Sequence, residues 1–586
     1  MSSSRYYKKR RRRRRRRYTR RINPLIIIIP VIILVAAVVL IVTLTRNTDN
    51  SVMRYLGSTN AGVAYYSYDE TEQRLIKASG TLQRGIQVKD LNQEYTENGV
   101  TYTIIEYNGE NYYISRSALV DSMDDVVQET ELWVRTSATV YTNESGPEIA
   151  SFAKKGSCLT VIGYDELQSD GSVYKYEVSF TDSTGKDVTG WVYGKYLKDN
   201  EEDALAINEE VYAIHKDRIY SGLDLGGGLP SSLDWYPVEK PSFADNPICE
   251  FARGMYITVD GVQYIDAYIA IAKENGVNCM VIDIKDGTLA YKVESIKDIS
   301  PTSYNNAYFA DADDYAAAIQ KCKDEGFYVI GRIVAFNDSL YAADHPETCI
   351  ESESSTQLWP SGYSRDCWYY NLLLATDAVE RCGFNEIQFD YVRFPEESYS
   401  MSQDPTSDFK NTYGEDKVEA IQNFCYYAAD VLHELGVYVS ADVFGECVYK
   451  YITAYGQYMP AIALVVDAVS AMPYTDHFGT DTDTWSDPYT TLYDWGLSCV
   501  ARLNETPNAA IARTWITCYN VPWWNPTVTC DADYVAKQVQ GLVDAGLTGG
   551  FLTWNGVANR TKYEEMGAAW GYDYVPSSTA TETEEK

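Results

Sequence analysis

Two kinds of hydrophobic pattern divide the chain. From Tyr55 to about Ser122 short runs alternate apolar and polar side chains, as in Thr101–Tyr107, and Asn108-Gly109 follows as a hairpin turn pair. The same logic returns between Glu131 and Asn200, where Tyr174–Phe180 and Gly190–Leu197 flank a turn at Thr184-Gly185. Both stretches predict small all-β units. Beyond Phe251 the pattern changes to apolar strand-like runs alternating with helical periods, which predicts parallel βα units. Eight strands are expected: Gly254–Val259, Asn278–Asp283, Tyr328–Val334, Glu386–Pro395, Val437–Val443, Asp467–Met472, Ile511–Thr517 and Gly550–Trp554. Eight such units in about 320 residues fit one closed (β/α)8 TIM barrel spanning 251–572.

The segments outside these patterns complete a multidomain plan. Residues 1–21 hold 13 Lys and Arg and no acid, and 22–45 are free of charge. As a helix those 24 residues reach about 36 Å, enough for the ~30 Å core of a bilayer. This predicts a basic cytoplasmic tail, one N-terminal transmembrane signal anchor, and a single-pass protein with its body outside the cell membrane. Residues 201–250 read as a linker or as packing on the next domain, and 573–586 as a disordered tail.

Charge then removes several function classes. Without the first 21 residues, 37 bases face 83 acids, so binding of nucleic acid by the body is not expected. Four scattered histidines make a zinc site improbable, and no metal or cofactor is expected. Twelve cysteines are too few for a disulfide-dense scaffold. The acidic run Thr480–Asp487 lacks the spacing of a calcium loop and reads as solvated.

The candidate chemistry lies at strand ends. Asp283, Arg332, Asp390 and Asp442 each end, or nearly end, an apolar strand, and neighbouring barrel strands would bring them to one mouth. Period-two alternation puts Gln388 and Asp390 on one face of their strand and Phe389 and Tyr391 on the other. Charges so buried must find partners. Three carboxylates around one guanidinium leave surplus negative charge, which suits the oxocarbenium-like state of glycosidic cleavage. Tyr391, Phe444, Tyr474, Trp515 and Trp554 are candidate sugar-stacking rings, with His477 a candidate for a sugar hydroxyl. The long loops 336–368 and 473–488 are candidate lids.

Two resemblances add to this reading. The stretches 55–122 and 131–200 resemble bacterial SH3-like modules, whose last strand often reads Gly-Trp-Val; the second has Gly190-Trp191-Val192, and the first lacks the Gly-Trp. Such modules often bind cell-wall material, though a spacer role is the plainer expectation for divergent copies. Val281–Asp286, Gly331–Val334, Glu386–Pro395 and Ser440–Gly445 resemble motifs of a bacterial family of presumed glycoside hydrolases with amylase-like barrels, once a domain of unknown function. That resemblance implies Asp390 as nucleophile and Asp442 or Glu446 as general acid. Asp283, Lys285, Arg332, Tyr391, Arg393, Tyr474, His477, Trp515, Trp554 and Asn555 are expected to bind substrate. The sequence-level expectation is a membrane-anchored extracellular glycoside hydrolase acting on a cell-wall or surface polysaccharide. The alternative is an inactive carbohydrate-binding or wall-scaffolding protein.

Overall fold

The computed structural model describes residues 50–219, 227–355, 357–478, 482–522 and 528–577. The basic tail and the expected anchor at 22–45 lie outside them, as does most of the acidic C-terminal tail. No helix among the described residues is long and apolar enough to cross a membrane. The expected localisation, single-pass with an extracellular body, is therefore corrected: among the described residues no spanning element supports it.

The chain forms two compact units, one of residues up to Val126 (less the short excursion Thr59–Ala61) and the other from Val127 onward. The first is a seven-stranded antiparallel sheet. Its Val100–Tyr107 and Glu110–Ser115 strands are joined by Asn108-Gly109, with φ of 53° and 82° at the two turn residues. A two-residue turn of this twist needs positive φ at both positions, and Asn-Gly tolerates it best. Alternation buries Leu56, Val63, Val88, Ile105 and Ile114 as the core of this unit.

The second unit holds another seven-stranded all-β sheet, from Glu131–Val134 to Leu197–Lys198, and the parallel barrel. The barrel strands are β1 (Ala252–Ile257), β2 (Cys279–Lys285), β3 (Tyr328–Val334), β4 (Glu386–Asp390), β5 (Tyr438–Phe444), β6 (Ala468–Met472), β7 and β8 (Gly550–Trp554). Strand β7 is split at Arg513 into Ile511–Ala512, which pairs with β6, and Thr514–Thr517, which pairs with β8. Because β8 also pairs with β1, the ring is nearly closed, its gap at Arg513. Helices α1 (Ile265–Asn275), α2 (Ala312–Asp324), α3 (Arg365–Cys382), α4 (Lys417–Glu434), α5 (Pro488–Asn504), α6 (Ala532–Asp544) and α7 (Arg560–Met566) form the outer layer.

Period-two alternation separates two apolar regions. Tyr256, Val281, Ile330, Trp515 and Leu552 pack inside the ring. Met280, Ile282, Val329, Ile387, Phe389, Val439 and Val443 pack outward with the helices. The Arg513 guanidinium is buried at the N-terminal end of the barrel against Glu386, at 2.5 Å, and Tyr328 donates to the same carboxylate oxygen. This pair fills the closed end and leaves the C-terminal mouth for polar chemistry.

The second sheet is not a free spacer, for it is packed on α4. Tyr196 donates to Asp430 Oδ1 at 2.8 Å, Tyr193 donates to Glu434 Oε1 at 2.7 Å, and buried Lys175 pairs with Glu434 at 2.5 Å. Tyr427 of α4 donates to the Pro147 carbonyl, and Arg135 pairs with Asp234. The described residues between 201 and 250 also pack: Trp235 stacks on His215 with centroids 4.0 Å apart.

Candidate active site

At the barrel mouth one guanidinium gathers four carboxylates. Arg332 reaches Asp283 at 2.7 Å through Nη1, Asp286 at 3.1 Å through the same nitrogen, and Asp390 at 2.5 Å through Nη2. Its Nε lies 3.8 Å from Oδ2 of Asp442. The four strand-end residues expected to converge thus do so. Neighbouring pairing explains it: Asp283 is in register with Arg332, and β4 and β5 follow in order round the ring.

The carboxylates have different surroundings. Asp390 accepts from Arg332 on one oxygen and from the Tyr391 backbone N–H, at 2.6 Å, on the other. Asp283 accepts from the Tyr256 hydroxyl at 2.5 Å. Burial pushes its carboxyl up to about 7, against the opposing pull of Arg332. Asp442 accepts from the Trp515 indole N–H at 2.9 Å on Oδ1, while Oδ2 has no hydrogen-bond partner. Burial first, and the nearby Asp390 charge second, raise Asp442 well above the usual carboxylate range.

A cleft of about 240 Å³ opens over this cluster, lined by Asp286, Arg332, Asp390, Asp442, Arg393 and an aromatic wall. The wall comprises Tyr391, Phe444, Tyr474, Trp515 and Trp554, joined by Met472 and by exposed His477 at the rim. Tyr474 stacks on Trp554, and Trp554 packs against Tyr256 and Trp515. Among the described residues no cluster of His, Cys, Asp and Glu is arranged to hold a metal ion.

Four expected site residues do not line the cleft: Asp283 is buried beneath it on Arg332 and Tyr256, and three fall elsewhere. Lys285 is expected from the resemblance to bind substrate, but the β2–β3 register shifts between Asp283 and Lys285. That bulge sends Lys285 into a buried pair with Asp338 at 2.5 Å, with Asn371 at 3.0 Å, away from the cleft. Glu446 is exposed, bonded to the Tyr455 hydroxyl, and does not line the cleft. Asn555 is buried in a turn, where its carbonyl accepts from Ala558 N–H.

Two further details depart from the simple strand reading. Strand β4 ends at Asp390, five residues before Pro395. Tyr391 takes φ of +52°, a region that costs an aromatic residue energy and is found mostly at functional sites. That turn brings its ring into the cleft on the side of Asp390, where alternation had put it on the opposite face. Asp286 and Trp359, unassigned from sequence, also belong to the site or its wall: Asp286 by the same bulge, and Trp359 because loop 336–368 lays its ring by Tyr391 and Arg393.

Comparison with known proteins bears on this arrangement. A family model described as "Putative glycosyl hydrolase domain" matches residues 254–561, more than half of the chain and nearly the whole barrel. The chain belongs to that family. No curated protein matches. Among solved structures, a hypothetical protein from Ruminiclostridium thermocellum is 31% identical, covering 32% of this chain and 97% of its own, with a TM-score of 0.27. The glycoside hydrolase domain of PgaB (BpsB) from Bordetella bronchiseptica is 12% identical, covering 55% of this chain and 99% of its own, with a TM-score of 0.41. The C-terminal domain of a putative chitinase from Desulfitobacterium hafniense is 10% identical, covering 55% of this chain and 99% of its own, with a TM-score of 0.37.

Proposed function

We propose that the barrel of this glycosyl hydrolase family member cleaves glycosidic bonds, with Asp390 and Asp442 in unlike roles. The observation that carries the reading is their contrast around one guanidinium: Asp390 is ion-paired to Arg332 at 2.5 Å, whereas Asp442 stands 3.8 Å from it, with one oxygen that takes no hydrogen bond and the other on an indole. A carboxyl whose proton is held by burial is suited to protonate a leaving oxygen. A clamped carboxylate is suited to attack the anomeric carbon or to activate water there. Asp283 and Asp286 offset the Arg332 charge, so the cationic character that develops on the sugar meets a net negative mouth. The rings of Tyr474, Trp515 and Trp554 offer stacking faces for the sugar.

The test is turnover of a panel of activated aryl glycosides, covering α- and β-linked glucose, galactose, mannose and N-acetylglucosamine, together with release of reducing ends from polysaccharides. Cleavage by the wild type and a loss of at least 10³-fold in Asp390→Asn, with folding retained by circular dichroism, are expected. Binding of glycans without cleavage anywhere in the panel supports instead the scaffold alternative. A folded Asp390→Asn protein with near-normal turnover removes Asp390 from the mechanism.

A further inference from the structure

Two arginines face the cleft, and their charges are met differently. Arg332, like Arg365 and Arg513, bonds carboxylates that are themselves buried: Asp283 and Asp390 for Arg332, Glu415 for Arg365 and Glu386 for Arg513. Arg393 is just as buried, at 4% exposure, yet among the described residues its ion-pair partner is Glu396, at 3.2 Å and with a side chain 64% exposed. Its other hydrogen bond goes to the Phe394 carbonyl. Four rings surround the guanidinium, those of Phe444, Tyr391, Trp359 and Tyr455, with centroids 4.5, 4.9, 5.1 and 5.8 Å away. Rings attract a cation but supply no counter-charge, and a solvent-screened glutamate supplies little. The cation is held out of water, on the wall of a cleft, with its neutralisation incomplete.

We infer that Arg393 is the anchor of a subsite for a carboxylate borne by the substrate, a single uronate-type sugar in an otherwise neutral glycan. This rests on the reading that the cleft takes a glycan, and it names the class of glycan. The planar fork of an arginine matches a carboxylate through paired N–H donors. The surrounding rings give the same sugar a stacking face. A uniformly acidic polymer fits less well, because a chain with 83 acids against 50 bases repels it. One isolated carboxylate escapes most of that repulsion beyond a screening length of roughly 8–10 Å.

The experiment is calorimetric binding by the full chain carrying Asp390→Asn, which prevents turnover; Asp442→Asn is the second background should the first not fold. The probes are neutral tetrasaccharides carrying one glucuronate, galacturonate or mannuronate, each paired with its carboxyl-reduced counterpart. At least one acidic probe is expected to bind ten-fold or more tighter than its reduced partner. Adding Arg393→Met should abolish that preference, while Arg393→Lys should keep part of it. Equal affinity within every pair, or a preference that survives Arg393→Met, overturns the inference. Acid-selective binding combined with no cleavage by the wild type overturns the hydrolase reading alone; cleavage combined with no acid preference overturns the subsite alone.

Discussion

The indole N–H of Trp515 holds one oxygen of Asp442 at 2.9 Å, and the other oxygen of that carboxyl takes no hydrogen bond, with Arg332 Nε 3.8 Å away. Strands β5 and β7 meet through this bond inside the barrel. It favours the ionised form of Asp442, in opposition to burial and to Asp390. The indole therefore lowers the pH at which Asp442 gives up its proton, in the same direction as Arg332 and against burial and Asp390.

Trp515→Phe removes the donor and keeps a ring. A hydrogen bond to a charged group contributes about 1.5–3 kcal/mol, and its loss should move the basic limb of the kcat/KM profile upward by about one pH unit or more. The sign is fixed: without the donor, Asp442 holds its proton more tightly. A pH–rate series on one aryl glycoside checks this. A basic limb that stays in place, or moves down, shows that Asp442 is not the titrating acid.

Asp283 gives a stability prediction. Its carboxyl titrates near 3.8 in the unfolded chain and is pushed up to about 7 by burial when folded. Between those values the folded state holds more protons, so the contribution of this group is complete below about pH 4 and is lost as pH rises towards 7. Asp283→Asn cannot ionise and is blind to that change. The melting temperature of the wild type relative to Asp283→Asn should be more favourable at pH 4.5 than at pH 8. The reverse order would mean that the Arg332 pair outweighs burial.

The mouth was legible in the sequence because it follows from regular rules. Apolar runs ending on Asp283, Arg332, Asp390 and Asp442 need only the period-two rule and strand order to converge. What the pattern could not give depends on single backbone irregularities. The bulge after Asp283 reverses the faces of Lys285 and Asp286, and one residue of slip is invisible in hydrophobicity. Tyr391 changes face through one positive φ, and Glu446 leaves the site because the chain turns into a short helix, Gly445–Val448, straight after β5. The docking of residues 131–200 on α4 was hidden for another reason. The tyrosines Tyr193 and Tyr196 read equally well as an exposed sheet face until Asp430 and Glu434 are opposite them.

Lys285 and Asp338 form a buried pair behind the bulge, so losing one partner leaves an uncompensated charge. Lys285→Met should cost about 3–5 kcal/mol. Asp338→Asn keeps an oxygen for the Leu340 and Tyr341 N–H groups that this residue caps, and isolates the ionic part. In a double-mutant cycle by urea unfolding, the two changes together should cost clearly less than their sum. Additive costs, with KM rather than stability altered, would return Lys285 to substrate binding.

The packing of the second sheet on α4 gives the last prediction. Tyr193, Tyr196, Lys175 and Lys195 satisfy Asp430 and Glu434, and Tyr196 sets its ring edge-on against Tyr426 at 5.6 Å. Asp430 is buried where that sheet meets α4, and α4 leads through a short loop into β5, which carries Asp442. A fragment of residues 201–577 would expose the tyrosines of α4 and leave Asp430 without its two hydroxyl and amine partners. It should melt roughly 5 °C or more below a fragment of residues 127–577, since each kcal/mol lost shifts a unit of this size by a few degrees at most. Turnover should fall with it, because α4 positions β5. Removing residues 50–126 takes away a separate compact unit and should leave the melting of the remainder unchanged. Scanning calorimetry on the two fragments decides the matter: equal melting temperatures would show that residues 127–200 rest on α4 without stabilising it.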